Sequence, residues 1–358
     1  MAETSQPAEE RTAPLAGLIE GIREIGIPRL LIGVFLVVLF IIAFATHMSI
    51  GTLLTDSLLR VGRNGILVLA LLPAVQGGLG LNFGLPLGIV MGLLACVITM
   101  NAGLAGWGAL GITFLLAIVL AVPVGLAYGW LLNRTRGQEM MVGTYLGFAV
   151  VSGMSIFWTM APFTSPQLVW AIGGHGLRTT LTLTGFYDRL LDKLWAFEFH
   201  GVTVPTGLLL VFFLMCFGVA LFFRTRAGLT ISAARSNPRF ARAAGISDER
   251  TRVQATVLTT ILASVGIVVY CQSFGFVQLY TAPLLMAFPA VACLLIGGAS
   301  VSRATLTHVI VGTLLFQSIL TVALPVTSQV IQGDISETAR LIIQNGMILY
   351  ALTRRGDR

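Results

Sequence analysis

The chain has 358 residues, of which 56% are hydrophobic and only 10% charged, with a formal net charge of +7 and a mean hydropathy of +0.90. Soluble domains carry about 25% charged residues, so water cannot hold this chain as a compact globule and a bilayer can. Its apolar runs are about 17–25 residues long rather than ten-residue alternations, which excludes an outer-membrane barrel and leaves helical spans.

Residues 1–14 are polar, and no cleavable signal peptide is visible. Between 15 and 27, Leu15, Leu18, Ile19, Ile22 and Ile25 recur at helical spacing, with Glu20, Arg23 and Glu24 between them. The pattern predicts a helix lying on the membrane surface before Pro28, or else a simple extension of the first span. The hydropathy then predicts about ten spans, some broken: 30–46, 64–80, 83–100, 109–132, 140–160, 206–223, 253–272, 281–298, 305–324 and 338–352. This gives a tail with a surface helix (1–29), an all-α polytopic membrane domain (30–352) and a second tail (353–358).

With ten spans both termini face the cytoplasm. All of the 22 Lys and Arg except Arg60, Arg63, Arg178, Arg189, Lys193 and Arg340 then lie on cytoplasmic segments. That is the expected bias of Lys and Arg, so the net charge reads as membrane orientation and not as nucleic-acid binding. Two long segments remain outside the bilayer, 161–205 on the outer side and 224–252 on the inner side. The stretch 73–92, PAVQGGLGLNFGLPLGIVMG, reads as a broken helix. Its freed backbone groups must be buried in protein or line a wet cavity, which points to a translocation path.

Several chemistries are missing. The single lysine, Lys193, follows no glycine-rich loop, so the chain has no P-loop of its own. Within the predicted spans ionisable residues are nearly missing; those that stand out are His308 and, at an edge, Glu139. Ion-coupled carriers need buried ionisable groups, and a conduit powered from elsewhere does not. His308 reads as a packing residue and Glu139 as a first-turn carboxylate on a helix dipole. No paired-carboxylate, HExxH or GxSxG pattern argues for an enzyme. Cys96, Cys216, Cys271 and Cys293 fall in spans without metal-ligand spacing and read as small apolar packing residues. His175 and His200 are too far apart in sequence, and without a companion cysteine, to read as a metal pair.

The polar island 224–252, RTRAGLTISAARSNPRFARAAGISDERTR, contains a helix with both ends written into it. Asn237 suits the N-cap, Pro238 the first helical position and Gly245 the left-handed position after the end. Arg239 and Arg242 lie on the surface of this short, firmly bounded helix.

This island resembles the permease subunit of bacterial ABC importers, in particular the group carrying simple sugars, nucleosides and branched-chain amino acids. Gly228, Ala233, Asn237-Pro238, Ala241 and Gly245-Ile246 match the group's pattern in register, while Arg235 stands where a glycine is common. Gly297, Gly298 and Ser300 match its Gly-Gly-x-Ser turn, with Pro289 and Arg303 departing nearby. Asn82, Gly84 and Gly92 match the nucleoside-type stretch in part, with Pro86 at the usual Glu position. The resemblance covers roughly residues 60–352. It implies a homo- or heterodimer of permease subunits in the bacterial inner membrane among membrane lipids. It also implies a separate ABC ATPase that holds the ATP and Mg, and a periplasmic or lipid-anchored binding protein. Residues Asn237, Pro238, Arg239, Phe240, Ala241, Arg242 and Gly245 would form the coupling helix to the ATPase. Candidate path-lining residues are Asn82, Phe83, Thr144, Tyr145 and Phe148, whose amide and aromatic groups suit a neutral sugar or nucleoside. The alternatives are a branched-chain amino acid as the solute, or an ion-coupled carrier in place of an ATP-driven one.

Overall fold

A computed structural model describes residues 27–170, 176–330, 341–342 and 344–349. Helix α1 (Ile27–Ala45) leads into α2 (Ile50–Leu69), which continues after a bend as α3 (Leu72–Gln76). A buried turn follows, then α4 (Leu85–Asn101), α5 (Gly106–Arg134) and α6 (Glu139–Met160). Next come strand β1 (Thr180–Thr182), the short α7 (Leu190–Lys193), the hairpin of β2 (Phe197–Phe199) and β3 (Val202–Val204), and α8 (Thr206–Arg224). The polar island holds α9 (Arg226–Ser236) and α10 (Pro238–Ala243). The chain ends its described course with α11 (Asp248–Phe274), β4 (Phe276–Gln278), α12 (Ala282–Ile296) and α13 (Leu306–Val330). Among the described residues six helices are long and apolar enough to cross a membrane, and three shorter apolar ones accompany them. The protein is a multi-pass, all-α membrane protein. The predicted surface helix at 15–27 and the tail at 353–358 lie outside the described residues. The tenth predicted span lies partly outside them, with 341–342 and 344–349 helical.

The second predicted span needs correction. Its helix starts at Ile50, not at 64, and Ile50–Gln76 forms one span with a bend at Ala70–Leu71. Asp56, Arg60 and Arg63 interrupt the apolar run, so hydropathy alone cuts the helix short. Ser49 starts it by accepting a hydrogen bond from the Thr52 amide. Spanning helices therefore do contain charges, contrary to the expectation that ionisable residues are nearly missing there.

Helix α11 is the centre of the bundle, and small residues let two neighbours close on it. A Cβ at Gly88 or Gly92 of α4 would meet the Thr260 or Ser264 carbonyl. A Cβ at Gly125 or Gly129 of α5 would lie 2.9 Å from the Cα of Val257 or Val253. Both pairs have the spacing of close-packing membrane helices, where backbone proximity replaces the hydrophobic effect as the source of attraction. By contrast α6 is mostly exposed along its apolar length, with a window only 17% buried against 67% for α11. Its free face is available to lipid or to another subunit.

The two ends of the bundle differ. At one end, the segments between α6 and α8 pack down on the helices: Leu168, Leu177, Leu181, Leu183 and Tyr187 are fully buried. β1 pairs antiparallel with β4, and β2 with β3, the latter turning at His200 and Gly201 with left-handed φ of 49° and 76°. The Thr203 amide bonds the Thr55 hydroxyl at 2.8 Å, which fixes the start of α2 at this strand-bearing end. The opposite, basic end carries α9, α10, the α5–α6 turn and the α12–α13 turn. There Gly297, Gly298 and Ala299 close the end of α12 with amide bonds to Cys293, Leu295 and Leu294. A Cβ on Gly297 would collide with the His308 carbonyl, so the turn needs glycine.

Candidate functional site

At the basic end the polar island is more ordered than a loop with one helix in it. Thr225 caps α9, its hydroxyl accepting from the Gly228 amide. A Cβ at Gly228 would run into the Phe222–Phe223 backbone, which explains a glycine at this corner. Helix α9 escaped the sequence reading, although a Thr followed by a helix-compatible run is a start signal. Asn237 then separates α9 from α10, with its side-chain oxygen accepting from the Phe240 amide at 3.0 Å and Pro238 in the first turn. At the other end Gly245 has φ +77°. Its amide bonds the Arg242 carbonyl at 3.1 Å, and the Ile246 amide bonds the Ala241 carbonyl at 2.9 Å. These two bonds are a Schellman closure. The caps sit where the residue types predict them. Ala241 is buried at 2% exposure and anchors α10, while Phe240 is 63% exposed, flanked by the exposed Arg239 and Arg242.

A polar network fastens this region to the bundle. Ser247 caps α11, and Asp248 and Glu249 occupy its first turn. Arg136 of the α5–α6 turn lies 2.8 Å from Asp248 and 3.7 Å from Glu249. Deeper in, the Arg252 guanidinium donates to Glu139 at 2.6 Å and to the Asn133 side chain at 3.1 Å. Both members of the Arg252–Glu139 pair are largely shielded from solvent, at 10% and 15% side-chain exposure. Glu139 does sit in the first turn of α6, but its oxygen is also bound by Arg252, which ties α6 to α11. Sequence reading missed this pair, because the two residues are 113 positions apart.

The broken stretch forms a buried turn against this network. Gly78 and Gly80 have φ of +73° and +74°, and the Leu79 amide bonds the Ala74 carbonyl to close α3. The Arg235 side chain of α9 lies along Gly78. Gly78, Gly80, Glu139, Met140, Arg235 and Val301 line a cavity of about 560 Å³ at the basic end.

Of the candidate path residues, Phe83, Thr144 and Phe148 come together. With Pro86 and Phe288 they enclose a space of about 10 Å³, roughly one water molecule, and the Phe83 and Phe288 rings lie 5.5 Å apart. Asn82 is buried in the adjacent turn, where its side-chain oxygen accepts from the Tyr128 hydroxyl at 2.7 Å and the Gly84 amide at 2.9 Å. Tyr145 points to the exposed face of α6. A third cavity, of about 270 Å³, lies between α2, α11, α12 and α13, with Arg60, Arg63, Asn64, Gln278 and Gln317 in its wall. His308 lies in the first turn of α13, its amide bonded to Thr305, and His200 in the β2–β3 turn; His175 lies outside the described residues. The four cysteines are buried and free.

No curated protein and no solved structure matches the chain. A family model described as the permease component of a branched-chain amino acid transport system matches residues 53–352. That range contains the bundle from α2 onward, both cavities at its ends and the whole polar island. The chain is a member of this family of ABC transporter permease subunits.

Proposed function

We propose that α10 is the contact through which a separate ATPase drives this chain, and that a small solute handed over by a binding protein at the strand-bearing end crosses between two copies or sister subunits. The observation that carries the reading is the construction of α10. It is capped at both ends, anchored by Ala241 and presents Phe240 between two arginines. An exposed aromatic beside arginines is the usual chemistry of an interface anchor. A rigid helix transmits displacement, and the helix that follows it, α11, is tied by the Arg252–Glu139 and Arg136–Asp248 pairs to α6 and the α5–α6 turn. Closure of the ATPase would push α10, shift α11 against its glycine-packed neighbours and open the contacts around Phe83 and Phe288. The strand-bearing end would face outward and α10 the cytoplasm, as the arginine distribution favours.

For the solute, a neutral sugar or nucleoside fits the aromatic contacts of Phe83 and Phe148. Arg60 and Arg63, which lie inside the spanning helix α2, do not suit a path that passes only neutral solutes. The arginine-lined cavity favours a second reading, a solute bearing a carboxylate, of which a branched-chain amino acid is one example. The coupling proposal is tested by co-purifying the chain with a candidate partner ATPase. The double variant Arg239→Glu, Phe240→Asp is expected to lose the ATPase while keeping its thermal stability in detergent. An intact complex, or uptake into vesicles driven by an ion gradient without ATP, contradicts the proposal.

A further inference from the structure

An apolar groove of about 300 Å³ opens on the outside of the bundle, between α5, α11 and the α8–α9 corner. Leu126, Phe222, Ala227, Val257 and Ile261 are among its lining residues, and Gln254 is the polar one. Along α11 the lining runs from Val253 to Ile261, about 12 Å at ~1.5 Å per residue. Ile261 stands midway along α11 (Asp248–Phe274), so the groove starts near the basic end and stops at half the depth of the bundle. One leaflet's share of the ~30 Å hydrocarbon core is about 15 Å. The groove thus has the length of an acyl chain site within a single leaflet, whereas a spanning helix of another subunit would need a seat through both.

Each of the three flanking elements carries arginine at the groove's basic end. On α5, Leu126 is followed at four-residue steps by Trp130 and Arg134, which places the three on one face. The Arg134 guanidinium carbon lies 4.0 Å from the centroid of the Trp130 ring. Stacking engages the face of the guanidinium and leaves its N–H edge for an anion. On α11, Arg250 precedes Gln254, Leu258 and Ile261 at same-face spacing. At the corner, Arg224 ends α8 and Arg226 begins α9, beside the lining residues Phe222 and Ala227. All four arginines are exposed, and among the described residues none of them forms an ion pair. The acidic residues of this end are taken by other arginines: Asp248 and Glu249 by Arg136, and Glu139 by Arg252.

Cations at one end of an apolar slot match an amphiphile with a negative head. Trp130, 55% exposed, suits the headgroup level, where indole rings concentrate. Gln254, one helical turn below Arg250 and exposed, stands where a phospholipid carries its ester carbonyls, and its amide can donate to them. Basic pockets between spanning helices select anionic headgroups.

We infer that this groove binds one phospholipid with an anionic headgroup, its phosphate among Arg134, Arg226 and Arg250 and one acyl chain along α11. Bound there, the lipid joins the α8–α9 corner to α5 and α11. The test uses the full chain, delipidated in a nonionic detergent, with native mass spectrometry and thermal unfolding as readouts. The probes are dioleoylphosphatidylglycerol, dioleoylphosphatidylcholine and glycerol phosphate. Phosphatidylglycerol is expected to bind once per chain and raise Tm, phosphatidylcholine much less and glycerol phosphate not at all. The triple variant Arg134→Gln, Arg226→Gln, Arg250→Gln should weaken phosphatidylglycerol by about tenfold or more, the effect of losing charged hydrogen-bonding groups. Its three positions are exposed, so its lipid-free Tm should match the wild type. Ala227→Trp, which fills the groove and keeps every arginine, should abolish the bound lipid. Equal binding of phosphatidylcholine overturns the inference, as does an equal rise in Tm with glycerol phosphate, which would assign the arginines to a free phosphate. Phosphatidylglycerol binding that survives Ala227→Trp also overturns it, leaving the arginines as orienting charge. So does a chain that binds no lipid and loses a dimer in Ala227→Trp, which would assign the groove to a second copy. No ATPase enters this experiment, so its failure leaves the coupling role of α10 standing.

Discussion

Arg252 is the residue on which the basic end turns. Its guanidinium bonds Glu139, Asn133 and the Leu132 carbonyl, joining α11 to both α5 and α6. Removing one member of a buried pair leaves the other charge unpaired, at a cost of about 3–5 kcal/mol. Arg252→Gln is therefore expected to lower the thermal unfolding midpoint in detergent strongly. The double variant Arg252→Gln, Glu139→Gln should recover much of the loss, because neither charge is then stranded. Equal losses in the single and double variants would show that the pair itself is not what matters. At Asn237 the side chain satisfies one free amide of α10, and Asn237→Ala should cost about 1 kcal/mol of local stability. Faster amide exchange confined to 238–245 would report that loss. Both caps were legible in the sequence because capping is local: Asn237, Pro238 and Gly245 act within a few residues. The Arg252–Glu139 pair was not legible, since its partners meet only when α6 and α11 pack.

Among the elements, the contrast within α5 is the most instructive. Gly125 faces the Val257 backbone, whereas Gly111 has nothing near its missing Cβ. Gly125→Ala forces α5 and α11 apart and should destabilise by about 1–3 kcal/mol. Gly111→Ala fills open space and should be neutral or stabilising by up to ~1 kcal/mol. Thermal unfolding of the two variants side by side checks this, and equal effects would rule out glycine-mediated packing at Gly125. Apolar runs such as α5, α8 and α13 were readable because hydropathy reports burial in lipid directly. Helix α2 was half-readable, for its first turns carry Asp56, Arg60 and Arg63. A sliding average treats these as the edge of a span, although Arg63 is stacked against α11. The small strands after α6 were invisible, since three-residue strands have no usable period.

At the scale of the whole molecule, the bundle has one end built from strands and buried loops and one built from arginine-rich helices. The proposed orientation rests on this asymmetry and can be read by cysteine labelling. The four native cysteines are buried, so an introduced thiol reports its own side. In intact cells, Thr182→Cys is expected to react with a membrane-impermeant maleimide and Arg242→Cys to react only after permeabilisation. The reverse pattern would invert the proposed topology.

In the proposed mechanism α10 carries the power stroke from a partner ATPase. The most direct measurement is the number of solute molecules moved per ATP hydrolysed, in proteoliposomes holding the full transporter and its binding protein, with wild-type chain or Phe240→Ala. If α10 is the coupling helix, Phe240→Ala leaves assembly and basal ATP hydrolysis largely intact and cuts transport per ATP several-fold. An unchanged ratio in that variant would contradict it.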